Sequence, residues 1–269
     1  MRTFPTRRWT LGGGLAALAA RPALVQAPIR WPHHAKGAVS LTYDDGLDSQ
    51  LEYAVPQLQR AGFKATFFLV QENMEARLSD WKKVARLGHE IGDHTEHHPC
   101  DLEGFSAESF QTAEIDPMER FLDNNFGRAR RPRVYAYPCG YLGLGKGSEA
   151  ERFARYGDLV GRDFAAARTT AGGPIDPHDA RRQRLRLPGF EPTYDADVTA
   201  PGFAYLEETI RQGRWAILVF HDVTPTRNGE GGASMAVHKQ FLDYIARAPL
   251  WCAPMGRVFD WIVRHDRQA

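Results

Sequence analysis

Short, almost unbroken apolar runs recur along this chain, separated by helical stretches, and several of them end in a polar cluster. Residues 36–43 run into Asp44-Asp45-Gly46, and residues 63–70 form a second run. Residues 90–93 lead to His94, residues 133–137 to Pro138-Cys139-Gly140, and residues 215–220 to His221-Asp222. A strand apolar on both faces must be covered on both faces, which is the mark of a parallel sheet joined by crossover helices. Helices are expected over 49–61, from a Ser79 cap to Leu87, and over about 106–125, 148–156, 202–213, 235–247 and 257–265. Pro117 can kink the long stretch or start its second half. Three more strands are expected, over 158–166, 182–187 and 250–253. In 182–187, Arg182, Arg184 and Arg186 alternate with Gln183, Leu185 and Leu187. About seven units in one run, with no linker and no internal repeat, favour a barrel over an open sheet.

In a parallel barrel the strand ends share one face, so the polar clusters converge. Asp44-Asp45 reads either as an Asx turn closed by Gly46 or as a pair in which one carboxylate binds a metal and the other stays free as a base. His94 and His98, four apart, suit a divalent metal or are exposed loop residues. Two His with one Asp leave metal positions open for water and substrate. His221 ends the most apolar strand and is either a satisfied core residue or, beside a metal, a general acid. His97 is expected to face solvent, and His89 to favour the dipole of the helix before it.

The first 27 residues read as an address. Arg7 and Arg8 precede an uncharged Gly-, Ala- and Leu-rich stretch from Trp9 to Ala20, and Val25-Gln26-Ala27 supplies an A-x-A-like end. The arginine pair resembles a twin-arginine signal, so periplasmic export is expected, with residues 28–269 as the working domain. Pro28 is a poor residue to follow a cleavage site, so the segment is assigned and the cut is not. The apolar run is too short to span a membrane, which needs about 20 residues. The 269 residues carry 34 Lys+Arg against 33 Asp+Glu. Removing 1–27 takes Arg2, Arg7, Arg8 and Arg21 and no acid, leaving 30 against 33, a charge of −3. Neither balance suits a nucleic-acid partner. Three Cys are too few for a disulfide scaffold.

From about residue 36 to 265 the chain resembles the polysaccharide deacetylases, the NodB-homology group of metal-dependent carbohydrate esterases. That family's Thr-Phe-Asp-Asp-Gly stands here as Thr42-Tyr43-Asp44-Asp45-Gly46, and its His-Ser/Thr-x-x-His-Pro as His94-Thr95-Glu96-His97-His98-Pro99. Trp251-Cys252-Ala253-Pro254-Met255-Gly256 is similar to its last strand and turn. The resemblance implies a distorted (β/α) barrel of about seven parallel strands. It makes Asp44 the base and gives the metal to Asp45, His94 and His98. Zinc is the first candidate cation, with cobalt, nickel or iron as alternatives, and the implied substrate is an acetylated glycan outside the cytoplasm.

Three departures accompany it. In Tyr135-Ala136-Tyr137-Pro138-Cys139-Gly140, Ala136 stands where the family usually has the Arg that orients the base. The Cys139 N–H can still serve as oxyanion donor. The Asp-x-x-Asp-Trp motif is not recognisable, and Arg168 is the candidate for the lost charge partner. Leu218-Val219-Phe220-His221 fits the last motif loosely, with His221 as acid and Val219 as a wall for the acetyl methyl. Tyr137, Tyr141 and Trp81 are candidate stacking surfaces. Cys100 and Cys139 would both border the site and are a candidate disulfide, and Cys252 is expected to be buried. Rival readings are a cytosolic allantoinase-like hydrolase, a silent glycan-binding barrel, and a non-haem iron oxygenase using His94-x-Glu96 with His221. The last should sit on an antiparallel fold, which the helical periodicity contradicts.

Overall fold

The computed structural model describes residues 28–192, 199–226 and 232–266. The expected leader, residues 1–27, lies outside the described residues. Seven strands form one all-parallel sheet: β1 Gly37–Tyr43, β2 Thr66–Leu69, β3 Glu90–Asp93, β4 Val134–Ala136, β5 Ala166–Arg168, β6 Trp215–Phe220 and β9 Leu250–Cys252. Between β6 and β9, β7 Val223–Thr224 and β8 Ala233–Ser234 make a separate two-stranded ribbon. The sheet order is β5-β4-β3-β2-β1-β6. β6 pairs β1 over its length from Ala38 to Tyr43, while β2 takes its upper end (Thr42↔Thr66) and β9 its lower end (Gly37↔Leu250). The sheet is a curled half-barrel. Between β5 and β6 the gap is spanned by isolated bridges, Arg168↔Leu187 and Phe190↔Leu218.

The period of two along each strand sorts its residues into layers. Val39, Leu41, Tyr43, Phe67, Leu69, Leu218 and Phe220 pack outward under the helices Val55–Ala61 and Met235–Arg247. Ala38, Phe68, Val134, Ala136, Ala166, Trp215 and Ile217 fill the interior, and Met255, Val258 and Ile262 of the last helix pack with them. Tyr135, Tyr137 and Ala167 face the helix Glu149–Asp163 through Tyr156, Leu159 and Val160. Gly92 makes one close approach possible. A Cβ there would lie 2.6 Å from the Phe68 ring, which its absence lets into the interior.

Two expected strands are corrected. Residues 158–163 continue the helix Glu149–Asp163, and the strand begins only at Ala166. Tyr156, Leu159 and Val160 are buried at helical spacing, so an apolar run that reads as strand is the helix's inner face. Residues 181–185 form a turn, and only Leu187 makes a sheet bridge. Arg184 does not line a wet strand face. It donates to the carbonyls of Gly161, Phe164 and Ala165, the unmatched acceptors at the end of that helix. The long stretch divides as expected at Pro117, which sits in the first turn of the helix Asp116–Phe126. No helix among the described residues is long and apolar enough to cross a membrane.

Candidate functional site

The inward-facing rows of the strands continue past their last residues, and there they stop being apolar. Asp44 follows Thr42 on the inner face of β1, His94 follows Gly92 of β3, His221 follows Val219 of β6, and Arg168 ends β5. Together with Asp45, His98, Tyr137, Cys139, Phe190, Glu191 and Asp222 these strand exits line a cavity of about 790 Å³, with Arg168 beneath it. Gln50 holds two of the exits together, its Nε2 donating to the carbonyls of Asp44 and His221.

Asp44 is buried, and its Oδ1 is ion-paired to Nη2 of the fully buried Arg168. Its Oδ2 lies 3.8 Å from His94 Nε2 and 3.9 Å from His221 Nε2. Burial alone would raise the Asp44 pKa, but Arg168, His94 and His221 together hold the carboxyl below the usual range. Arg168 lies opposite Ala136 on the neighbouring strand. Its guanidinium carbon sits 4.7 Å from the Phe68 ring centroid, and its Nε and Nη1 have no protein partner among the described residues. Orphaned donors are uncommon in buried structure.

Asp45, His94 and His98 are placed so that they could hold a metal ion. Asp45 Oδ1 is 3.6 Å from Nε2 of each histidine, and the three donors lie within 4.8 Å of one another. Tetrahedral donors about 2.1 Å from a zinc-sized ion stand roughly 3.4 Å apart, so the spacing fits. The tautomer fits as well. His94 Nδ1 lies 2.9 Å from the Ala136 carbonyl, which can only accept, so Nδ1 carries the proton and Nε2 offers its lone pair. Burial depresses the His94 pKa to about 4 despite Asp44 and Asp45, so the ring is neutral at pH 7.

The loop is held in an unusual backbone state. Asp45, Thr95, His98 and Cys139 are four of the six non-glycine residues with left-handed φ among those described. Each such conformation costs roughly 1–3 kcal/mol and persists where the surroundings impose it. Asp93 Oδ1 accepts from the Thr95 N–H at 2.8 Å, and Thr95 Oγ1 accepts from the His98 N–H at 2.9 Å. Cys100 and Cys139 are disulfide-bonded, Cα–Cα 5.7 Å, which ties this loop to the turn after β4.

Other expected residues fall elsewhere. Trp81 is fully buried in the core and offers no sugar platform. The Tyr137 ring is also core. Its hydroxyl donates to the Leu185 carbonyl at 2.8 Å and its ring meets Tyr135 and Tyr156 edge-on. Val219 is buried below His221 and does not line the cavity. Tyr141 is exposed beside a separate cavity. His97 is exposed, with Nδ1 3.2 Å from Glu114. His89 does not sit at a helix end as a cation. It is buried, accepts from the Ala65 N–H, and burial depresses its pKa to about 4. Cys252 is half-buried against the outer core. Glu191 is the addition. It lies on the cavity wall, and burial raises its pKa against the opposing charges of His221 and Arg168. The strand-end rule applies to it too, because Phe190 bridges to β6 just before it.

Residues 32–151 match the model of the polysaccharide deacetylase family. Over 108 residues the chain is 43% identical to a peptidoglycan-N-acetylglucosamine deacetylase of Bacillus cereus, covering 40% of this chain and 38% of that protein. Among solved structures, the Xyl-CE4 domain of a multidomain xylanase from the Trinervitermes trinervoides hindgut metagenome has a TM-score of 0.54 at 18% identity, over 83% of this chain and 90% of that one. A peptidoglycan deacetylase of Bacillus subtilis has a TM-score of 0.54 at 16% identity, over 85% and 92%. At such identities the likeness is one of fold. Asp44, Asp45, His94, His98 and Cys139 fall inside the matched span, whereas Arg168, Glu191 and His221 lie beyond it. The pair of aspartates and the pair of histidines thus lie inside the span that is similar to the polysaccharide deacetylase family, residues 32–151, and the fold around them is one those solved structures share.

Proposed function

We propose that this chain is an exported, metal-dependent hydrolase that removes acetyl groups from an N-acetylated glycan, with zinc as the first candidate cation. The observation that carries the reading is the buried Asp44–Arg168 ion pair set directly against the Asp45–His94–His98 donors. A divalent cation held by those three residues would supply a Lewis acid for the acetyl carbonyl and would acidify water. Asp44, kept ionised by Arg168, takes the proton from the attacking water. The Cys139 N–H donates to the developing oxyanion, a contribution of about 3 kcal/mol. His221 gives a proton to the departing amine. An amide anion is a very poor leaving group, so that step needs an acid more than ester cleavage does. O-acetyl groups are therefore a secondary substrate class. The paired Arg7-Arg8 leader supports export.

The test is acetate release from chitooligosaccharides, peptidoglycan fragments and acetylxylan, with and without a chelator. Release that stops with chelator and returns with zinc is expected. No release from any of the three would sink the reading.

A further inference from the structure

The imidazole of His98 stands between two sets of donors. Its Nε2 faces Asp45 Oδ1 at 3.6 Å, while its Nδ1 lies 3.9 Å from Cys100 Sγ. Donor atoms of His98, Cys100 and Cys139 all fall within 4.8 Å of one another, the two sulfurs being joined by the disulfide. As a disulfide the two sulfurs are not ligands, because a metal takes thiolates. Both cysteines are exposed, so a reductant can reach the bond.

We propose that reduction of Cys100–Cys139 creates a second site for a soft divalent cation, made of His98 and the two thiolates, and that it competes with the Asp45–His94–His98 site for the same histidine. The competition follows from the ring. A neutral imidazole has one lone-pair nitrogen and one N–H. A cation on Nε2 leaves the proton on Nδ1, and a cation on Nδ1 moves it to Nε2, toward Asp45. Thiolates outbid a carboxylate for zinc or cobalt, so the reduced protein draws the ion away from Asp44 and the cavity. A dithiol reductant is oxidised to its own disulfide and delivers two electrons and two protons to the sulfurs. Both thiols then release their protons to solvent as the metal binds. The inference rests on the metal-dependent reading above for its effect on turnover, but not for the existence of the sulfur site.

The experiment uses the full protein carrying one equivalent of Co2+. Its visible spectrum before reduction reports the Asp45–His94–His98 site, so an oxidised protein that binds no cobalt counts against that reading alone. A water-soluble phosphine then reduces the disulfide, taking oxygen from water to become the phosphine oxide, without itself chelating the metal. The expected result is a new near-ultraviolet sulfur-to-cobalt charge-transfer band, loss of turnover at unchanged cobalt content, and reversal of both on reoxidation. In Cys100→Ser, which retains Cys252, phosphine should change neither the spectrum nor the turnover. The absence of the band in the reduced wild type overturns the proposal. So does full turnover with two cobalt ions bound once a second equivalent is added to the reduced protein, since the sites would then not compete.

Discussion

The mouth of the barrel and the layer outside it each bury a histidine and an arginine, and they treat them in opposite ways. Outside, His238 is fully buried with both ring nitrogens used. Nδ1 donates to Gln57 Oε1 and Nε2 accepts from the Tyr43 hydroxyl, each at 2.6 Å. Arg133 is nearly buried and meets Glu119 at 2.8 Å, Asp123 at 2.7 Å and the Gly127 carbonyl at 3.2 Å. At the mouth, His94 uses one nitrogen and leaves the other facing Asp44 and Asp45, while Arg168 spends one nitrogen on Asp44 and leaves two unmatched. Burial is equal in the two places, so burial does not separate structure from function here. For these two pairs satisfaction does, although Trp81 Nε1 and His89 Nε2 are also unmatched away from the mouth. A buried polar group without its partners costs roughly 1–3 kcal/mol. What sets the mouth apart is that three such nitrogens, one on His94 and two on Arg168, gather at one strand-end cluster.

The largest effects should therefore fall at the mouth without unfolding the chain. Asp44→Asn should lower turnover by about 10³-fold, the range for losing a general base, while metal content stays the same. Steady-state kinetics with metal analysis on the same sample checks this. A variant that stays fully active removes Asp44 from the base role. The next test sets the two arginines against each other. Arg133→Met leaves two carboxylates without their cation and should cost about 3 kcal/mol in denaturant melts, the low end for a buried pair because Glu119 and Asp123 still reach water. Its turnover per folded molecule should not change. Arg168→Met strips the cation from the fully buried Asp44 and should cost stability too, but with a severe loss of turnover per folded molecule. Unchanged turnover per folded molecule in Arg168→Met would erase the distinction drawn above.

The residues at the mouth differ in how readable they were. Asp44 and Asp45 were legible because they follow a strong apolar strand, and His94 and His98 because their spacing and motif stand out after the short strand Glu90–Asp93. Arg168 was half legible. Its place at a strand end was visible in the pattern, but its pairing with Asp44, 124 positions away, was expected only through the resemblance and the Arg missing at Ala136. Glu191 was missed because the segment before it bridges β5 to β6 without forming a regular strand. The Arg182–Leu187 alternation misled for the opposite reason. It reproduces strand period, yet Arg184 is drawn to the unmatched carbonyls at a helix end, a tertiary demand that no local pattern records. Trp81 shows the common bias: an aromatic near a motif suggests a sugar platform, and a core claims it first.

The satisfied histidine gives the pH test. Burial depresses His238 to about 3, far below the 6.5 of an unfolded histidine. The unfolded chain therefore binds the proton more readily. His238 contributes stability that is present above pH 6.5 and is lost as pH falls toward 3, at about 1.4 kcal/mol per pH unit. His238→Gln should be less stable at pH 7 but should lose less between pH 6.5 and 4, as read from urea midpoints. A parallel shift at all pH values would mean that His238 is not neutral in the folded state.

The smallest expected effect tests whether the wall of the mouth belongs to the site or to the core. Tyr137 borders the cavity, but its hydroxyl is spent on the Leu185 carbonyl and its ring on Tyr135 and Tyr156. Tyr137→Phe keeps the ring and leaves one carbonyl acceptor unmatched, a change worth about 1 kcal/mol of stability. A core residue loses only that, and KM for a chitooligosaccharide stays where it was. A sugar contact behaves differently. Deleting a hydroxyl that binds substrate raises KM while the melt barely moves. Measuring both quantities on one variant therefore decides which side of the boundary Tyr137 stands on, and a raised KM with unchanged stability would return it to the substrate-binding set.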